Sequence, residues 1–440
     1  MARTSLPDRP APGWPAEEFS SAVLPGGLEA WVWRRRGLTN RYAALGARFG
    51  AMDARFEAGG ENREVPDGTA HFLEHMAFET GQGNALGLFS RLGVRANAFT
   101  SPTATVYHFS ATDNFWPALR RLVPLVAVSR LTPRGVEDEK RVIAQEIRMY
   151  EDSPGSRVHE SLLEALYHEH PVRRRVTGTL ESIAAITPET LLACHRAFYR
   201  PAALAFVAAG DLDPGRVFDV LSREVERSAP AGDPGEVRRI LPPEPPLPAR
   251  PSVEVRMPVQ RPRFLVGFKD PALPASDGAR ALRREVVMDL VVEVVFGRTS
   301  PVFGELYRDG LVDAGFSAHY ASGPGFGHVA AGGLTVDPAR ASQGLLEGIS
   351  RQRQKGIRGA ELERKRRKAA GRFASLFDSL EGLATLFLTA RLRGLDILEY
   401  PAVLRAVTVE EVDAALRDVL TPDQAVVSAV VPADPQGGRS

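Results

Sequence analysis

Several things are scarce in these 440 residues. Cysteine occurs once, at Cys194, which excludes an internal disulfide and a zinc site built from cysteines alone. Lysine occurs only at 140, 269, 355, 365 and 368, and the other basic residues are arginine, a bias that reads as genome composition rather than function. Excess charge of either sign is missing: 55 basic against 54 acidic residues leave a formal net charge of +1. No nucleic-acid partner and no acidic solvating tail is expected from that balance. Long apolar runs are missing as well. A stretch such as Val286 to Phe296 is short and carries Asp289 and Glu293, whereas a bilayer span needs about 20 apolar residues. The opening MARTSLPDRPAPGWPAEEFS has no apolar core of signal-peptide length. The expectation is a soluble, cytoplasmic protein with no membrane partner, its residues 1–20 a flexible arm.

What is present points to two halves. The chain is too long for one ordinary domain. Of its 34 prolines, a cluster falls in Ala229 to Pro251, APAGDPGEVRRILPPEPPLPARP, and proline stiffens a chain while removing backbone donors. This predicts a first domain over 21–228, a linker over 229–250 and a second domain over 251–440. The halves echo each other. Ala185 to Pro214 and Ala406 to Pro435 share a threonine-capped helix, a proline turn, an apolar strand and a final Asp-Pro. Arg91-Leu-Gly-Val through Thr100 matches Arg308-Asp-Gly-Leu through Ser317, and Glu137 to Ser153 matches Glu363 to Ser379. Three matches in one order at nearly one offset indicate a duplicated domain.

Within the halves the patterning is mixed. Glu29 to Arg35 and Tyr42 to Phe56 alternate like strands, and Val94 to Thr100 with Thr105 to Ala111 reads as a hairpin around Ser101-Pro102. Thr69 to Phe78 reads as a helix capped by Asp67 or Thr69, and Pro133 to Tyr150 as a second helix. The fold class expected is α+β: two homologous α/β-sandwich domains, each a mostly antiparallel sheet with helices packed on it.

One motif carries chemistry. Residues 71–75 read His-Phe-Leu-Glu-His. On a helix, i and i+4 share a face, so both imidazoles can reach one metal ion, and Glu74 projects beside them. This is HxxEH, in which two histidines hold zinc and the glutamate polarises the metal's water. A hydrolytic site needs a third protein ligand. The run Glu139-Lys-Arg-Val-Ile-Ala-Gln-Glu146 offers two carboxylates on one helix face, between which spacing does not choose. Elsewhere the readings are bland. His168-Glu-His170-Pro171 reads as a helix end and turn, His108 and His195 as structural, Cys194 as a small buried residue, and Gly323 to Gly327 lacks the Lys-Ser/Thr of a phosphate loop.

Gly68-Thr-Ala-His-Phe-Leu-Glu-His-Met-Ala-Phe-Glu79 resembles the zinc helix of the pitrilysin/insulysin metallopeptidases, above all their bacterial and mitochondrial processing peptidase branch. Leu92 to Thr100 resembles that family's strand after its second helix, and Glu139 to Glu146 its second zinc segment. The resemblance implies a zinc-bearing endopeptidase of two homologous domains. It implies Zn2+ held by His71, His75 and Glu146, with Glu139 in support and Glu74 as general base. A peptide or small unfolded protein would lie extended along Asn97, Ala98, Phe99 and Thr100. The second half, without an HxxEH, resembles a degenerate copy. One departure stands out. Active members carry an arginine and, seven residues on, a tyrosine in the second domain, where this chain has Leu306 and Asp313, with Tyr307 and Arg308 out of register. The resemblance therefore implies a partner: a related chain bearing that pair in a hetero-oligomer, or a second copy in a homodimer. The alternative is a non-catalytic scaffold or regulatory subunit of a peptidase-like assembly.

Overall fold

The computed structural model describes residues 19–80, 83–129, 131–228, 235, 237–272 and 278–433. The expected arm, save Phe19 and Ser20, lies outside them, as do linker residues 229–234 and 236 and the Asp434-Pro435 that ends the second repeat. The described residues form two packing units.

The first unit takes in the chain up to Ile147, Arg175–Ile240 and Phe373–Leu398. Its sheet has six strands: β1 (Phe19–Val23), β2 (Glu29–Arg34), β3 (Arg41–Ala47), β4 (Arg95–Thr100), β5 (Thr105–Ala111) and β6 (Leu204–Gly210), in the order β1-β2-β6-β3-β5-β4. Only β2 and β6 run parallel. β6 is buried along its whole length, as an uninterrupted apolar strand covered on both faces should be. β4 is an edge. The strand expected over Tyr42 to Phe56 is two strands. After β3 the chain turns, and Arg55–Ala58 joins Glu61–Glu64 and Val237–Arg239 in a separate small sheet. Gly50 marks the break: a Cβ there would stand 2.5 Å from the Pro102 carbonyl oxygen and the Ala104 nitrogen, so only glycine lets this turn lie against the β4–β5 loop.

Two helices of this unit matter most, α1 (Thr69–Phe78) and α2 (Pro133–Glu151). α1 has the boundaries its sequence predicts, but neither Asp67 nor Thr69 caps it. Gly68 holds the N-cap position at φ 87°, with no side-chain cap. A Cβ on Gly68 would lie 2.6 Å from the Thr177 carbonyl oxygen, so the close approach and the left-handed backbone both demand glycine. Thr69 turns its hydroxyl back to donate to the Pro66 carbonyl at 2.6 Å.

The second unit comprises Arg148–Arg174, Leu241–Arg372 and the chain from Glu399 on. It contains helix α3 (Pro154–Leu166) and strands β7 (Ser252–Met257), β8 (Arg263–Lys269), β9 (Ser317–Gly323), β10 (Phe326–Leu334) and β11 (Ala425–Pro432), ordered β7-β11-β8-β10-β9. This is the first sheet without its outermost strand β1, and again a single pair, β7 with β11, is parallel. The repeat read in the sequence is thus a repeat of topology, and both units are mostly antiparallel sheets with helices packed on them.

The proline-rich stretch is more than a spacer. Its Val237–Arg239 is a strand against Arg55–Ala58. Further on, the side chain of Glu244 is buried and accepts the backbone N–H groups of His168, Glu169 and His170, and its carboxylate meets Lys269 Nζ at 2.5 Å.

Packing also crosses the sequence halves. α3 belongs to the first half in sequence but covers the sheet of the second unit. Leu162 sits where a Cβ on Gly267 would meet its Cδ1 at 2.7 Å, and Ser428 donates to the Val158 carbonyl at 2.8 Å. Helix α4 (Leu380–Leu392), late in the chain, covers the sheet of the first unit. A Cβ on Gly46 would meet Leu392 Cδ1 at 2.5 Å and Leu388 Cδ2 at 3.4 Å; Phe387 packs edge-on against Phe19 and Trp31, and Tyr42 hydrogen-bonds Thr385 at 2.9 Å. Among the described residues no single helix is long and apolar enough to cross a membrane.

Leu388 is fully buried. Leu388→Ala is expected to destabilise the first unit by about 2–5 kcal/mol, although Leu388 lies in the second half of the sequence. Hydrogen exchange locates the loss: protection should fall in β3 and β6, and unchanged protection there would contradict this packing.

Candidate metal centre

α1 is an unusual place for ionisable groups, because His71 and Glu74 are both buried on it. Buried charge is expensive unless paired, and the partners come from α2. Glu146 Oε2 stands 3.6 Å from His71 Nε2 and 3.4 Å from His75 Nε2. The imidazole rings are 4.5 Å apart. Four bonds of about 2.0–2.2 Å in a tetrahedron put neighbouring ligand atoms about 3.4 Å apart; the two distances from Glu146 match that edge, and all three ligand atoms lie within 4.8 Å of one another. Among the described residues, no other group of three histidine, cysteine or acidic side chains comes together in this way.

The two carboxylates that spacing left equivalent are separated by geometry. Glu139 is buried and takes His75 Nδ1 at 2.7 Å. A carboxylate there holds the hydrogen on Nδ1 and turns Nε2 toward the centre, the usual arrangement behind a metal-binding histidine. Glu146 faces the Nε2 atoms of both rings. His71 has no such support: its Nδ1 is buried without a partner among the described residues.

Electrostatics agree with the geometry. Burial opposes charge on His75, but its hydrogen bonds to Glu139 and Glu146 prevail and raise it to about 9. Contacts with His71 and His75 hold Glu146 well below the usual carboxylate range. A cation in place of the Nε2 proton would satisfy the same carboxylates. Glu74 moves the other way, pushed up by burial. The donor set of two imidazole nitrogens and one carboxylate fits zinc.

The four strand residues split between two faces of β4, as alternation requires. Thr100 lies on the α1 side and donates to Glu74 Oε2 at 2.6 Å. Ala98 shares that side. Asn97 and Phe99 point to the opposite side, with Phe99 6.3 Å from the His108 ring, and Asn97 Oδ1 accepts the N–H of Ala98 at 2.9 Å. The Thr100 contact had no signal in the sequence.

In the second unit, Leu306 is buried and Asp313 accepts from Arg261, so neither position supplies an oxyanion donor. Two histidines outside the centre are used structurally. His170 accepts the Val172 N–H at 3.2 Å and contacts the Pro324 carbonyl at 3.0 Å, and His195 contacts the Val126 carbonyl at 3.0 Å. Cys194 is buried, which pushes its thiol up and away from nucleophilic use.

The chain is similar to known zinc proteases. The family model described as Insulinase (Peptidase family M16) matches residues 58–180, and the one described as Peptidase M16 inactive domain matches 185–369. The uncharacterized zinc protease YmfH of Bacillus subtilis is 34% identical over 411 residues, 93% of this chain and 95% of that protein. A mitochondrial-processing peptidase subunit beta of Schizosaccharomyces pombe is 33% identical over 151 residues, 33% of this chain and 34% of that one. Among solved structures, an M16-like peptidase from Alicyclobacillus acidocaldarius superposes with a TM-score of 0.91 at 36% identity, over 95% of this chain and 99% of that one. A protease from Helicobacter pylori, 18% identical, shares the fold with a TM-score of 0.80 over 94% of this chain and all of that one. With its paired histidines and carboxylate on a duplicated α+β fold, the chain belongs to the insulinase family of zinc proteases, peptidase family M16.

Proposed function

We propose that the chain is a zinc-dependent endopeptidase that hydrolyses peptides or small unfolded proteins. The observation that carries this reading is the convergence of one ligand atom each from His71, His75 and Glu146 within 4.8 Å of one another, both edges from Glu146 near a tetrahedral zinc edge, with Glu74 buried alongside and its carboxyl raised by that burial. Zinc, when bound by these three residues, supplies a Lewis acid and an acidified water. The chain's own residues do the rest. Glu139 fixes the ring of His75. Glu74, raised by burial, is suited to take a proton from the attacking water and return it to the leaving amine. The peptide adds to the free edge of β4 as a further strand, since an edge strand offers unpaired backbone groups to an extended partner.

A related chain completes the site in this reading. The buried Leu306 and the Arg261-paired Asp313 leave the second unit without donors at those positions to steady the developing oxyanion. The relative named as a subunit is consistent with such a division of labour. The favoured assembly is a hetero-oligomer in which this chain bears the zinc.

Three measurements check this. His75→Ala and Glu146→Gln should each lose bound zinc, measured by elemental analysis on the purified chain, while Glu139→Gln should keep a full complement at saturation but bind about 10–100-fold more weakly. Glu74→Gln should retain zinc and cleave a quenched fluorescent unfolded peptide about 100–10,000-fold more slowly; unchanged cleavage in a pure preparation would refute Glu74 as the base. Mixing with a related chain that carries the arginine–tyrosine pair should raise cleavage. Full activity of the lone chain would reject the shared site, and zinc without cleavage in any mixture would favour a scaffold.

A further inference from the structure

Glu74 is a long side chain, and a general base must be held to within about 0.5 Å of its working position. Its neighbours in charge are His71, His75 and Glu146, none of which can hold it by a directed hydrogen bond once their ligand atoms are committed to a metal. Among the described residues, the hydroxyl that reaches it comes from elsewhere. Thr100 Oγ1 donates to Glu74 Oε2 at 2.6 Å, a contact between residues 26 apart in sequence.

That hydroxyl is itself restrained. Thr100 closes the β4–β5 ladder opposite Thr105. Thr105 is fully buried and sends its own hydrogen to the Phe49 carbonyl at 2.9 Å. Its oxygen lies 3.3 Å from Thr100 Oγ1 and, with the Thr105 hydrogen spent on Phe49, could only accept from Thr100; the 2.6 Å contact to the Glu74 carboxylate is the shorter and takes the single Thr100 hydrogen. The loop beyond is fixed too: Ser101 Oγ donates to the Ala104 carbonyl at 2.9 Å, and Gly50 lets the neighbouring turn sit against it. Threonine is also β-branched, so its χ1 has few alternatives in a strand.

We propose that Thr100 is the positioning residue for Glu74, its hydroxyl holding one carboxylate oxygen so that the base keeps a single orientation beside the His71/His75/Glu146 centre. The role rests on the function proposed above but is separable from it. It also gives Thr100 a task other than contact with substrate. An extended peptide on β4 and the base beside it then share one strand as their reference, since Thr100 is the last residue of that strand.

The test uses the full chain loaded with zinc, as wild type, Thr100→Val and Thr100→Ser. Valine keeps the shape and removes the donor; serine restores the donor. All three should bind zinc equally and melt within a few degrees of one another. In crystal structures, the Glu74 carboxylate should hold one orientation in wild type and Thr100→Ser, and more than one in Thr100→Val. In peptide cleavage, alone or with an activating related chain, Thr100→Val should lose about 10–100-fold in kcat with KM within twofold, and Thr100→Ser should recover most of it. A single, unmoved Glu74 in the valine variant, or a serine variant no better than valine, would overturn the positioning role. A wild type without cleavage would count against the proposed function alone, because the orientation of Glu74 is still read from the crystals.

Discussion

The facing of two imidazoles on α1 by two carboxylates on α2 is the interaction on which the rest of the site depends. α1 is buried along nearly its whole length, and an interior helix does not ordinarily carry histidine and glutamate. The three carboxylates of the cluster, Glu74, Glu139 and Glu146, outnumber its two imidazoles. Counted formally, with every carboxylate ionised and both rings protonated, the cluster carries one negative charge, a balance that suits a cation between them. The same arrangement makes the pairing fragile, since removing one member of a buried charged set leaves the others uncompensated. The close approach at Gly68, where any side chain would strike the Thr177 backbone, seats the start of α1 and so sets where both rings stand.

Much of this was legible in the sequence, for definite reasons. The four-residue interval between His71 and His75 becomes a shared helix face through the helical repeat alone, and the helix has the boundaries its pattern predicts. Resemblance selected Glu146 over Glu139, and geometry gives them different places: one faces the two Nε2 atoms and the other holds Nδ1. What could not be read were contacts across elements. The bond from Thr100 to Glu74 joins a hairpin to a helix, and no periodicity encodes it. The cap of α1 was misread for a related reason. Asp67 and Thr69 are good capping residues, but a neighbouring backbone crowds the N-cap position, and only glycine fits there.

Duplication was visible as offsets, yet the assignment of helices to sheets was not. α3 and α4 begin 226 residues apart, at 154 and 380, and Gly46 and Gly267, each on the strand their leucines cover, lie 221 apart. The two exchanges are copies of one arrangement. An amphipathic pattern tells that a helix has an apolar face, not which sheet that face will meet. A boundary drawn at a proline-rich stretch therefore leaves each sheet covered in part by the other half of the sequence. Within its described part the stretch is held at two places, Val237–Arg239 by pairing with Arg55–Ala58 and Glu244 by the His168 N–H and Lys269.

The second unit shows how little of the chemistry belongs to the fold. It repeats the sheet, including an edge strand, β9, in the place of β4. Among the described residues it has no metal-ligand group of its own. An open edge is ordinarily a liability for a soluble protein, and the topology produces it in both units as a consequence of ending the sheet in a hairpin. Only in the first unit does that edge run past a helix carrying HxxEH, with Thr100 tying strand to base. A strand in the middle of a sheet could not present free backbone, and a histidine pair on a helix remote from the edge could not act on what bound there. The proposed function rests on the coincidence of the two, which among the described residues occurs in one copy of the duplicated fold and not in the other.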